Sequence, residues 1–112
     1  MIIVHGSIPI RHDCRDEAVQ LARTMAEATR EEVGCISYDF YIGLADPNTL
    51  MVFQEWESMD ALMAHFQTGH METFLERLPD LVSGEIITKR YAVQSVEEDE
   101  EEPPEEAPPI IH

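Results

Sequence analysis

The sequence predicts a single α+β domain built from a four-stranded antiparallel sheet with two helices on one face. Three observations predict it: strand-like stretches near residues 2–10 and 35–43, which alternate with period two, and near 50–57, apolar on both faces, and 86–93, rich in β-branched and aromatic residues; helical apolar stripes between the first two stretches and between the last two; and an abrupt change of composition after residue 96. With 112 residues and 44% apolar composition there is material for one core and not for two.

The elements follow in chain order. Ile2, Val4, Ile8 and Ile10 share one face of the first strand with Gly6 between them, while Ile3, His5, Ser7 and Pro9 share the other. Asp13 is placed to cap a helix whose Ala18, Leu21, Ala22, Met25 and Ala26 form the inward stripe, and Gly34 ends it. In the second strand Ile36, Tyr38, Phe40 and Ile42 lie on one face and Cys35, Ser37, Asp39 and Tyr41 on the other. Asp46-Pro47-Asn48 reads as a turn, and the third strand, Leu50 to Glu57, carries apolar groups on both faces. Ser58 is an N-cap for a second helix whose Met59, Leu62, Met63 and Phe66 stripe is interrupted at Gly69 and resumed by Met71, Phe74, Leu75 and Leu78. Ile86 to Val93 makes the fourth strand.

That order, strand-helix-strand-strand-helix-strand, is the split βαβ or ferredoxin-like arrangement, and the right-handed crossover rule puts both helices on one side of the sheet. The other side then needs cover, and a second copy of the sheet is the economical source, so a homodimer through the sheet face is expected. Residues 1–96 are assigned to this domain. Residues 97–112, with eight acidic side chains, no Lys or Arg, and Pro103-Pro104 and Pro108-Pro109, form an acidic tail expected to be disordered.

Charge narrows the function classes. The formal charge is −16, and without the tail the body holds 15 acidic against 7 basic residues. An acidic surface without a basic stripe repels phosphate, so neither nucleic acid nor an anionic membrane is an expected partner. No apolar run approaches the roughly 20 residues that span a bilayer, and no basic leader precedes Ile2, so a cytoplasmic location is expected. Cys14 and Cys35 have neither metal-ligand nor redox spacing.

The stretch richest in chemistry runs from Glu55-Trp56-Glu57-Ser58 through Leu62, His65 and Phe66 to Gly69-His70-Met71 and Phe74, placing two histidines near a strand-to-helix junction. It resembles the strand-three and second-helix signature of the antibiotic biosynthesis monooxygenase family. Glu32-Val33-Gly34-Cys35 followed by Tyr38 is similar to that family's helix-to-strand element. The resemblance implies a dimeric α+β barrel with a hydrophobic cavity between sheet and helices. It also implies a cofactor-independent oxygenase, with dioxygen as co-substrate and a quinol or polycyclic phenol as the small aromatic ligand. The protein would supply a base and a dry pocket.

On a helical wheel His65 and His70 fall at the flanks of their apolar stripes, and either imidazole can take a phenolic proton near neutral pH, so both are the candidate catalytic residues. The alternative is that each bridges the helix break by a hydrogen bond. His5 on the half-polar face of the first strand, with Tyr38, Trp56, Phe66 and Phe74, makes up the candidate substrate-binding set, although at their alternating positions Tyr38 and Trp56 fit a plain core better than a pocket wall. Glu55 is expected to pair with Arg90 across the sheet. No metal site is expected: the two histidines are five apart, where one helix face wants three or four, and no Cys or Asp cluster completes a set. The haem-degrading branch of the family uses an Asn on strand one with a Trp and a His on the second helix. Asn48 lies in a turn and Trp56 at a strand end, so that chemistry is not expected. Two other readings stay open: an isomerase of small phosphorylated diketones using Lys89 and Arg90, and a non-catalytic dimeric module whose acidic tail recruits a basic partner.

Overall fold

A computed structural model describes residues 1–96, so the assignments made for the acidic tail fall outside the described residues. The chain runs β1 (Ile2–Pro9), α1 (Arg15–Arg30), β2 (Cys35–Ile42), β3 (Thr49–Trp56), α2 (Met59–His65), α3 (Gly69–Arg77) and β4 (Ile87–Ala92), with short 3-10 turns at His12–Cys14 and Leu78–Asp80. The strands form one sheet in the order β2-β3-β1-β4, and every pairing is antiparallel. The predicted ferredoxin-like α+β architecture is therefore the observed one, with the two halves of the second helical region forming separate helices.

Alternation sets which residues meet the helices. Ile2, Val4 and Ile8 of β1 stand opposite Trp56, Gln54 and Leu50 of β3, and all six are buried. Ala18, Ala22, Met25 and Ala26 close over them from α1, as the stripe predicts, while Leu62 and Phe74 do so from α2 and α3. Small alanines on α1 let its backbone come close to the sheet, and the large side chains of β3 fill the remaining depth. On the opposite face, His5 sits between Phe53 and Lys89, and Ile3 between Glu55 and Tyr91. Among the described residues no helix covers this face, and Tyr41 and Tyr91 on it are about half exposed.

Three local expectations change. Asp13 does not cap α1: it lies in the 3-10 turn and faces Arg11, while Cys14 takes the cap position without a side-chain bond. An acid two residues from an exposed guanidinium finds that partner before it finds a helix end. Ile36 does not join Tyr38, Phe40 and Ile42 on the inner face, because a bulge between Cys35 and Ser37 breaks the alternation and leaves Ile36 50% exposed. Glu55 does not pair with Arg90: its Oε1 accepts from the Ser37 hydroxyl at 2.7 Å, whereas Arg90 is on the other side of the sheet, its guanidinium 5.5 Å from the Phe66 ring centroid. Glu55 and Arg90 differ in parity along paired strands, so they face opposite ways.

Candidate functional site

The site grows from the turn after α1. The helix ends at Arg30, and Glu32 and Gly34 lead into β2, with Gly34 at φ +88°, a conformation that side-chain-bearing residues rarely adopt. A Cβ at Gly34 would stand 2.5 Å from the Cβ of Ala61, so glycine also lets this turn lie directly against α2. The Gly34 carbonyl accepts from the Glu57 N–H at 2.9 Å, fastening the turn to the end of β3. Glu32 is thereby held over the junction between β3 and α2.

Two helix ends bring the histidines to it. Ser58 caps α2, accepting from the Ala61 N–H at 3.1 Å, and the helix stops after seven residues at His65. Thr68 works in both directions: its hydroxyl donates to the His65 carbonyl at 2.8 Å and accepts from the Met71 N–H at 3.3 Å, which starts α3. The break thus spans Phe66 to Thr68, and Gly69 is the first residue of the new helix rather than the interruption itself. His65 and His70 consequently belong to different helices, and the helical-face spacing argument does not apply to them.

Both imidazoles point at one atom. His65 Nδ1 lies 2.8 Å and His70 Nε2 2.6 Å from Glu32 Oε2. A carboxylate accepts, so each of these ring nitrogens carries the proton when the ring is neutral, leaving the lone pairs on His65 Nε2 and His70 Nδ1. His65 is wholly enclosed, its ring centroid 4.9 Å from that of Trp56, 5.6 Å from Tyr38 and 5.8 Å from Phe66. Its Nε2 is buried without a hydrogen-bond partner among the described residues. Burial pushes the His65 pKa down from its ordinary value, and Glu32 works against that shift. His70 is the open member, with 26% of its side chain exposed.

The aromatic surroundings are equally ordered. Trp56 donates its indole N–H to Gln54 Oε1 at 2.8 Å, so its only polar group is already used within the core. The Tyr38 phenol is raised well above its ordinary pKa, first by burial and then by the Glu32 charge. Tyr38 meets Phe40 edge-on, and Phe40 in turn packs near Phe74 with centroids 6.0 Å apart.

Of the seven residues singled out in the sequence, the structure gathers His65, His70, Tyr38, Trp56 and Phe66 around Glu32. Phe74 lies further along the same layer, and His5 is on the opposite face of the sheet, exposed. His65 is not at the flank of its stripe but fully buried, because the Glu32 turn covers the side of α2 that a wheel leaves open. Glu32 is the residue that sequence reasoning missed as a site member. Its motif was visible, but its partners are 33 and 38 positions away. Two clefts flank the cluster without reaching it: one of about 350 Å³ between α1 and β2, floored by Ala22, Ala26, Phe40 and Leu50, and one of about 420 Å³ bordered by Phe66, Thr68, Glu72 and Leu75. The space beside the histidines is filled by Tyr38, Trp56 and Leu62. No helix among the described residues is long and apolar enough to cross a membrane.

Comparison with known proteins places this arrangement. A protein of Synechocystis, itself uncharacterized, is 37% identical over 92 residues, which cover 82% of this chain but only 63% of the length of that relative. A Bacillus subtilis protein, YcnE, whose name proposes a monooxygenase activity, is 25% identical over 74% of this chain and 87% of its own. The solved structure of Rv0793 from Mycobacterium tuberculosis superposes with a TM-score of 0.80 at 25% identity, covering 85% of this chain and 96% of that one. Residues 1–77, which contain β1 through α3 and every member of the Glu32 cluster, match the sequence pattern of the antibiotic biosynthesis monooxygenases, and the chain belongs to that family.

Proposed function

We propose that this chain is a monooxygenase that passes electrons from a quinol or polycyclic phenol to dioxygen without a bound cofactor, working as a homodimer closed over the bare sheet face. The observation that carries the reading is the convergence of His65 and His70 on a single oxygen of Glu32. A carboxylate hydrogen-bonded to one imidazole nitrogen fixes the tautomer and stabilises the imidazolium that forms when the other nitrogen accepts a proton. His70 is the acceptor in this scheme, because its ring is partly open while His65 is sealed.

The chemistry then balances without a metal or flavin. The phenolic proton goes to His70 Nδ1, and the phenolate gives one electron to dioxygen. The radical pair joins at an activated ring carbon bearing one hydrogen, His70 returns its proton to the peroxide, and loss of water leaves that C–H carbon and the former phenol carbon both as carbonyls, so ring C–H, phenolic O–H and O₂ become a quinone and H₂O. Positioned general-base catalysis contributes roughly 10²- to 10⁴-fold. The buried aromatic layer of Tyr38 and Trp56 supports the reading as a low-dielectric wall. The isomerase alternative loses support from β4: Lys89 and Arg90 are on opposite faces of the sheet, so they do not converge on one phosphate. Oxygen consumption with a panel of hydroquinones and anthrone-like phenols tests the proposal. Uptake that depends on His70 supports it, and no uptake across the panel rejects it.

A further inference from the structure

We propose that Glu32, His65 and His70 bind a divalent first-row transition-metal ion in place of the two hydrogen-bonding protons, and that the bound ion switches proton acceptance at His70 off. The three donor atoms, one from each residue, all lie within 4.8 Å of one another. They come from three separate segments, the turn after α1, the end of α2 and the start of α3, each fixed by bonds of its own. Two imidazole nitrogens and one carboxylate oxygen are a donor set of intermediate softness, suited to zinc, cobalt, nickel or iron rather than to magnesium or calcium.

The geometry needs adjustment at all three separations. Tetrahedral donors about 2.0–2.2 Å from an ion stand roughly 3.4 Å apart. The two nitrogen–oxygen separations, 2.8 and 2.6 Å, must open by about 0.6–0.8 Å, and the two ring nitrogens, within 4.8 Å of each other, must close toward the same spacing. His65 is clamped by packing, so the movement falls on Glu32 and His70, whose side chains are 13% and 26% exposed and which also supply the entry path. No proton has to leave the rings. The His65 proton passes from Nδ1 to Nε2, where it is a buried donor without a partner among the described residues, a cost that the metal–nitrogen bond offsets, and the His70 proton passes from Nε2 to Nδ1. A net negative body draws cations toward the site. The switch follows from the same tautomer change: with the ion on Nε2, His70 Nδ1 carries a proton and accepts none. That half of the inference rests on the oxygenase reading, whereas metal binding itself does not.

The test uses the full-length chain, stripped with a chelator, and four proteins: wild type, Glu32→Gln, His70→Ala and His12→Ala, the last an exposed histidine outside the cluster. Zn²⁺ titration calorimetry and the visible spectrum of added Co²⁺ report binding without any activity. The expected result is one ion per chain in wild type and His12→Ala, with intense tetrahedral cobalt bands. In Glu32→Gln and His70→Ala the bands should vanish, and affinity should fall by more than the roughly 10- to 100-fold that losing even an outer partner of a metal ligand costs. Identical binding in all four proteins, or none in any, overturns the site. Saturating Zn²⁺ is expected to abolish quinol-dependent oxygen uptake in wild type; full uptake with the ion bound overturns the switch. Binding without uptake in any stripped protein rejects the oxygenase reading and leaves the metal site standing.

Discussion

Replacing Glu32 with Ala removes the carboxylate whose Oε2 is, among the described residues, the hydrogen-bond partner of both His65 Nδ1 and His70 Nε2. A hydrogen bond to a charged group contributes about 1.5–3 kcal/mol, and leaving a buried donor unpaired costs about 1–3 kcal/mol. Only His65 bears the second cost, since His70 can turn to water. The same change relieves the desolvation of the mostly buried Glu32 carboxylate, so a net loss of about 2–4 kcal/mol is expected. Urea unfolding followed by circular dichroism gives the midpoint and slope, and the slope should stay at its wild-type value because the native fold is unchanged. Glu31→Ala, one residue earlier and exposed, is the control, expected within about 0.5 kcal/mol of wild type. If Glu32→Ala and Glu31→Ala unfold at the same urea concentration, Glu32 is not the keystone of the cluster and the reasoning fails.

Other substitutions probe how the cluster is assembled. Gly34→Ala forces a Cβ into a positive-φ position and against Ala61, and should lower stability by about 1–3 kcal/mol in the same assay; wild-type stability would mean the turn is free to shift. Thr68→Ala loses the α3 cap and the bond to the His65 carbonyl, a cost of about 1–2 kcal/mol, with His70 exchange broadening visible by NMR if α3 frays. Alkaline titration of the phenolate absorbance should show Tyr38 withheld until the chain unfolds, because burial and then the Glu32 charge raise its pKa. Because the folded-state pKa of Tyr38 is the higher one, its contribution to stability is complete below about pH 10 and declines as pH rises toward the folded value. Full phenolate absorbance before unfolding would contradict its burial.

Much of this molecule was readable from alternation and caps. Ile2, Val4 and Ile8 against Leu50, Val52 and Trp56 needed only a period of two, and the α1 stripe only a period of 3.6. Ser58 is the cap its position suggested. What stayed hidden depended on neighbours remote in sequence or on competition among near ones. The bulge at Ile36 has no signature in residue types that suit a regular strand. Asp13 chose Arg11 over a helix end. Glu32 belongs to a legible motif, yet nothing local tells that its carboxylate meets two rings more than thirty residues away. The helix break is legible, but the sequence pattern puts it at Gly69, whereas α2 already ends at His65 and Gly69 begins α3, which turns both rings toward the same oxygen.

The central claim is that a carboxylate-held imidazole at position 70 accepts the proton that lets an aromatic substrate react with dioxygen. Oxygen-electrode rates on a quinol panel, compared between wild type and His70→Ala at matched folded concentration, address it most directly. Uptake in wild type that drops about 100-fold or more in His70→Ala, with no more stability lost than the about 1.5–3 kcal/mol of its bond to Glu32, is the predicted result. Equal rates in the two proteins would contradict it.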